Sequence, residues 1–128
     1  MFTLLYFVCK RNKIMLEEKI KIFKALSDPN RLRILKALQT KVLCVCEIRE
    51  LLHLANSTVS QHLSILKQEG FILEEKAGKW VNYYINPQPS DPRISAFLSM
   101  LDFWIGDEKA IIADKEKICC LDRKLICC

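Results

Sequence analysis

The stretch from Asn56 to Gly70 constrains this chain most, because it reads as a helix with two unlike faces. Taking 100° per residue from Val59, Leu63 and Leu66 fall within about 40° of it and make an inward face. Ser57, Gln61, Ser64 and Gln68 point the other way, and that outward face is uncharged and rich in hydrogen-bonding groups. Asn56-Ser57 is a capping pair at its start, and Gly70 stops it as the residue beyond the C-cap.

The flanking segments are equally short and periodic. Leu16, Ile20, Phe23 and Leu26 recur at helical spacing in a first amphipathic helix, which Ser27-Asp28-Pro29 punctuates. A second helix follows with Leu32, Leu35 and Leu38 as its buried stripe and Arg31, Arg33 and Lys36 away from it. A third begins near Cys46, includes Ile48, Leu51 and Leu52, and ends before His53-Leu54-Ala55. Beyond Gly70, Phe71 to Glu75 and Trp80 to Ile85 read as two strands around the basic turn Lys76-Ala77-Gly78-Lys79. A Pro-containing connection leads to a long apolar helix with Ile94, Phe97, Leu98, Leu101, Phe103, Trp104 and Ile105, ending at Gly106. That much apolar surface predicts a partner. The tail beyond it mixes charges with Ile and Cys and carries no clear period.

A length of 128 residues allows one compact domain, and 51% hydrophobic with 27% charged residues excludes a disordered or low-complexity chain. The expected organisation is an amino-terminal extension over 1–15, a folded unit over 16–106, and a cysteine-rich tail over 107–128. Phe2 to Val8 is apolar but makes a poor signal peptide, with no basic residue ahead of it and no small-residue cleavage site after it. No run approaches the roughly 18 apolar residues of a membrane span, so a cytoplasmic protein without membrane contact is expected. Residues 1–80 carry 14 Lys/Arg against 8 Asp/Glu, and residues 81–128 carry 6 against 7. The first part of the chain therefore faces a polyanion more readily than the second.

Two short helices joined by a tight connection, then a hairpin with a basic tip, are laid out as a winged helix-turn-helix: mainly α with a two-stranded β-wing. The fourth helix can enter a major groove, where Ser57, Thr58, Ser60, Gln61 and Ser64 offer groups for base edges, while Lys76 and Lys79 meet phosphates or the minor groove. His62 lies on the flank of that helix, where it either packs and caps or joins the DNA contact.

In this order the sequence resembles the ArsR-SmtB family of winged-helix repressors. Ala25-Leu26-Ser27-Asp28-Pro29-Asn30-Arg31-Leu32-Arg33-Ile34-Leu35 resembles the family's opening signature, Ser57-Thr58-Val59-Ser60-Gln61-His62-Leu63 its recognition helix, and Gly78-Lys79-Trp80-Val81-Asn82-Tyr83-Tyr84 its wing. The resemblance implies a homodimeric repressor that leaves double-stranded operator DNA when an inducer binds.

Leu43-Cys44-Val45-Cys46-Glu47-Ile48 is similar to the family's metal box. That resemblance implies arsenite or antimonite as the inducer, with Cd(II) or Pb(II) as the alternative and no organic cofactor, and the preference of thiolates for soft ions agrees with it. Residues two apart point about 200° apart on a regular helix, so capture by Cys44 and Cys46 must bend or unwind the start of the third helix. The family's third thiol position holds Arg49 here, and Cys119, Cys120, Cys127 and Cys128 offer further donors. Cys9 instead suits a cadmium or lead site with an amino-terminal donor. No histidine follows His62, which disfavours zinc sites of the family's His-carboxylate kind. A repressor sensing oxidation through its cysteines, or a thiol carrier with an incidental basic face, are the other readings. An enzyme is not expected: there is no Cys-x-x-Cys motif, no phosphate loop and no histidine paired with a nucleophile.

Overall fold

The structure, a computed structural model, describes residues 16–126. The expectations for residues 1–15, Cys9, Cys127 and Cys128 lie outside the described residues.

Helix α1 covers residues 16–26 and α2 covers Pro29–Thr40. Asp28 is the N-cap of α2: its Oδ1 accepts the N–H groups of Asn30 and Arg31 at 2.8 and 3.2 Å, and Pro29 takes the first helical position. Arg31 turns back to satisfy the carbonyl end of α1, donating to the Ala25 and Lys24 oxygens at 2.6 and 3.0 Å. The stripe of α2 is rotated from the expected one, with Ile34, Leu35, Ala37 and Leu38 buried and Leu32 at its half-buried edge. In α1 it is Ile22 and Ala25 that are buried, whereas Leu16, Ile20 and Phe23 stand 59%, 40% and 56% exposed. Most of the expected α1 stripe thus turns away from this chain's own core, with Leu26 alone half-buried against it.

Strand β1, Leu43–Cys44, runs directly into α3, Val45–Leu52. His53 ends α3 in the left-handed region at φ 55°, and α4 covers Asn56–Gln68. The Asn56-Ser57 pair expected to cap α4 lies inside it as its first two residues, and Ala55 is the N-cap without a side-chain bond. Val59, Leu63 and Leu66 are buried as expected. At the other end Gly70 adopts φ +87°, its N–H bonds the Lys67 carbonyl at 3.1 Å, and the Phe71 N–H bonds the Leu66 carbonyl at 3.0 Å. This paired closure, with Phe71 and Leu66 both at 0% exposure, turns the chain from helix into wing around one apolar contact.

Strands β2, Ile72–Ala77, and β3, Trp80–Ile85, are antiparallel from Ile72↔Ile85 to Ala77↔Trp80. Only Gly78-Lys79 remain in the loop, with positive φ (+62°) at Gly78, the glycine position of a tight hairpin. The ribbon gains an edge that the sequence reading did not anticipate: β1 pairs with β3 through Leu43↔Tyr83 and Cys44↔Asn82, giving the order β1-β3-β2.

Helix α5, Pro92–Ile105, buries Ile94, Leu98 and Leu101 and leaves Met100, Phe103 and Trp104 exposed. The tail beyond it is helical as α6, Lys109–Ile118, and α7, Arg123–Ile126. Arg33 of α2 holds α6 in place with a bidentate pair to the buried Asp114, Nε to Oδ2 and Nη2 to Oδ1, both at 2.7 Å. The hydrogen bond to that carboxylate, more than its charge, drives the Arg33 pKa upward.

Phe71→Ala removes the side chain that joins helix to wing and is expected to cost about 3–5 kcal/mol of unfolding free energy. Asp28→Ala, which removes only a cap, is expected to cost about 1 kcal/mol. Chemical denaturation of both variants beside the parent checks the contrast.

Candidate nucleic-acid interface and thiol site

The outward face of α4 is a strip of small polar groups. Ser57, Ser60, Gln61 and Ser64 are exposed, while Thr58 and His62 are half-buried. Residues spaced three and four apart share one side of a helix, so the four exposed residues form a continuous row on the side opposite Val59, Leu63 and Leu66. His62 is held at the flank, its Nδ1 3.1 Å from Arg31 Nη1. Through Arg31 it belongs to the joint between α1, α2 and α4.

Lys67, at the end of the helix, reaches Glu74 of β2 and ties the strip to the wing. Lys67, followed by Tyr83, holds the Glu74 carboxyl below its ordinary pKa. Tyr83 stands opposite Glu74 in the ribbon and is pushed up to about 12, by burial first and by the bond to Glu74 second. At the tip Lys76 and Lys79 are both exposed, and Lys79 Nζ lies 4.9 Å from the centre of the Trp80 ring. The tip thereby offers two cations, one of them propped on an aromatic face.

The cysteine pair sits where β1 becomes α3. Cys44 is 2% exposed, pairs with Asn82 of β3, and is the N-cap of α3; Cys46 is half-buried in the first turn of that helix. Cys44 and Glu47 form a capping box: Glu47 Oε1 accepts the Cys44 N–H at 3.0 Å, and the Cys44 side chain accepts the Glu47 N–H in return. The Cys44-x-x-Glu47 spacing was the available signal for this cap, with Cys in the place usually held by Ser or Thr. The sequence reading placed the helix start near Cys46 and passed over Glu47, a carboxylate only 1% exposed.

In the tail, Cys119 and Cys120 are exposed, and the Cys119 sulfur lies 3.5 Å from the Lys115 carbonyl. Among the described residues no three His, Cys, Asp or Glu side chains are grouped closely enough to hold a metal ion. The Cys44–Cys46 and Cys119–Cys120 pairs are therefore not gathered into one donor set. No helix among the described residues is long and apolar enough to cross a membrane.

The model of the family described as "Bacterial regulatory protein, arsR family" matches residues 28–73, from the N-cap of α2 into β2. The chain is 40% identical over 87 residues to an HTH-type transcriptional regulator of Methanocaldococcus jannaschii, covering 67% of this chain and 93% of that one. It is 39% identical over 69 residues to the arsenical resistance operon repressor of Escherichia coli, covering 53% and 59% of the two chains. Over 64 residues it is 45% identical to the cadmium resistance transcriptional regulatory protein CadC of Listeria innocua, covering 49% and 54%. Among solved structures, reduced HlyU from Vibrio cholerae superposes with a TM-score of 0.62 at 25% identity, over 75% of this chain and 97% of that one.

The raised pKa of Tyr83 has a definite sign in stability. A phenol in the unfolded chain ionises near pH 10, so the protection Tyr83 gives is complete below that pH and is lost as pH rises through about 12. Tyr83→Phe should flatten the alkaline fall of stability, measured as melting temperature against pH. An unchanged alkaline limb would show that Tyr83 ionises freely in the fold.

Proposed function

Because the chain belongs to the ArsR family, whose members are transcriptional regulators and not enzymes, we propose that it is a homodimeric repressor that binds double-stranded operator DNA and releases it when As(III) or Sb(III) is captured by cysteine thiolates. The observation that carries this reading is the place of Cys44 and Cys46, at the N-cap and first turn of the helix that precedes the polar strip of α4.

The donor chemistry fits a thiophilic ion, since two thiols two residues apart are soft ligands. The folded geometry holds one of them as a helix cap, so recruiting Cys44 takes its side chain from the Glu47 N–H and loosens the start of α3. The tail cysteines Cys119, Cys120, Cys127 and Cys128 are the candidate further donors in this reading, and since Cys119 and Cys120 are not gathered with Cys44 and Cys46, their use requires the tail to move. Cd(II) or Pb(II), with Cys9 as the extra donor, is the second reading, and the likeness to a cadmium resistance regulator favours it.

On the DNA side, Ser57, Ser60, Gln61 and Ser64 face base edges, Thr58 and His62 border the row, and Lys76 and Lys79 take phosphates. The second copy covers the apolar surface that this chain leaves open. Leu16, Ile20 and Phe23 of α1 and Met100, Phe103 and Trp104 of α5 are exposed, and the Phe23 and Phe97 rings meet edge to face at 5.4 Å, which places the two helices side by side. A patch of that composition on a single chain calls for a partner. Residues 16–106 make up the DNA-binding and dimerisation unit in this reading, 107–128 a cysteine-bearing tail and 1–15 an extension; the protein works in the cytoplasm.

Fluorescence anisotropy of the reduced protein on its own upstream DNA tests the reading, with arsenite, antimonite, cadmium, lead and zinc titrated in parallel. Release by arsenite or antimonite is expected, by a factor of about 5–150 in affinity. Ser is a good N-cap, so Cys44→Ser with Cys46→Ser should keep the fold and operator binding while losing release. Release by cadmium or lead alone selects the second reading. Absence of specific DNA binding under any condition overturns both. Gln61→Ala should weaken operator binding by about 1–3 kcal/mol with altered base preference. Lys79→Ala should weaken it for all sequences and lower the salt slope by about one.

A further inference from the structure

Arg123 makes a set of contacts that neither the DNA row nor the cysteine pair requires. From α7 its guanidinium donates Nη2 to Glu47 Oε1 and Nη1 to Asn82 Oδ1, both at 2.8 Å, and its Cζ lies 5.1 Å from the centre of the Trp80 ring. These three partners are not scattered. Glu47 Oε1 is the atom that also accepts the Cys44 N–H, Asn82 is the residue paired with Cys44 across the sheet, and Trp80 closes the wing loop and supports Lys79.

We propose that Arg123 is a positioning residue that latches the cysteine-bearing start of α3 to the wing, so that ion capture and DNA contact are coupled through one guanidinium. The inference rests on the thiolate reading above. Glu47 is 1% exposed, and a buried carboxylate is costly once its cation moves away. Loss of the α3 cap on ion capture withdraws the Cys44 N–H from Glu47 and shifts the carboxylate that anchors Arg123. Asn82 and Trp80 hang on the same planar group, so the wing loses its hold at the same moment. A group held by both sites at once is one through which each could bias the other, which is the physical requirement for coupling. Only a planar fork can meet a carboxylate, an amide and a ring face together; a lysine keeps the charge and loses the geometry.

The test compares full-length parent, Arg123→Lys and Asn82→Ala, the last approaching the latch from the wing side. Three quantities are read: operator affinity with and without arsenite or antimonite, ion binding by thiolate absorption, and the indole N–H resonance of Trp80, assigned with Trp80→Phe. In the parent, the ion is expected to shift that resonance and release DNA. In both variants ion binding is retained, the ratio of operator affinities without and with ion falls about fivefold or more, and the Trp80 resonance no longer follows the ion. A structural role alone would change stability or both affinities and leave the ratio intact, and a preserved ratio in both variants overturns the latch. A parent whose operator complex ignores the ions overturns the thiolate reading, and this inference with it.

Discussion

A carboxylate in the interior has to be answered by a donor from every side that reaches it, and Glu47 is the point where this requirement organises the molecule. Its Oε1 accepts the Cys44 N–H from β1 and the Arg123 guanidinium from α7, at 3.0 and 2.8 Å. The first bond fixes where α3 starts, and the second brings the tail back across the helix. Because Cys44 also pairs with Asn82, the start of α3 is stitched into the sheet as well. Removing Arg123 leaves the buried carboxylate unanswered, which costs more than a surface ion pair is worth, whereas opening the helix end costs about as much as losing any cap.

The apolar core works on a different principle, since area and shape decide it without regard to direction. Ile34, Leu35, Ile48, Leu51, Val59, Leu63, Leu66, Phe71 and Ile72 form one continuous cluster through α2, α3, α4 and β2. It holds α3 and α4 at their mutual angle and leaves only the polar row of α4 free to face outward. The polar joints then set the details. Arg31 binds α1 to α2 and α4, Arg33 binds α6 to α2, and Lys67 binds α4 to the wing. Each of these cations belongs to the surplus of basic residues in the first eighty positions, so part of that surplus is spent on internal joints and does not meet a polyanion.

This division explains which features could be read from the chain. Val59, Leu63 and Leu66 repeat at helical period, and Gly70 supplies the one positive φ that a closed helix end needs, so the inward face and end of α4 were legible. Asp28-Pro29 was equally local and equally legible. The side from which α1 is covered was not. Leu16, Ile20 and Phe23 have the right period for a core stripe, but a period cannot distinguish a face buried in one chain from a face left open on it. Long-range pairs were out of reach for a related reason: nothing near Asp114 or Arg123 indicates that Arg33, 81 residues away, or Glu47, 76 residues away, completes them. The two-residue strand β1 was too short for any alternation to show. The connection His53-Leu54-Ala55 was read correctly, although His53 rather than Gly or Asn takes its left-handed position.

The cysteine box shows how a structural bond and a responsive one can be the same bond. A thiol is a weaker acceptor than the hydroxyl or carboxylate usually found at an N-cap, so in the proposed reading the bond that Cys44 would give up to an ion is a weak one. Had Ser or Asp stood there, the helix start would be firmer and unable to respond; had both cysteines lain deep in the core, capture would require global opening. With a soft side chain at the turn that Glu47 closes, the proposed loss of capping would reach the groups that share that carboxylate. Reciprocity follows from the same proposed connection: if DNA contact stiffens the wing, Asn82 and β1 would make Cys44 harder to withdraw, and each ligand would weaken the other by one common factor.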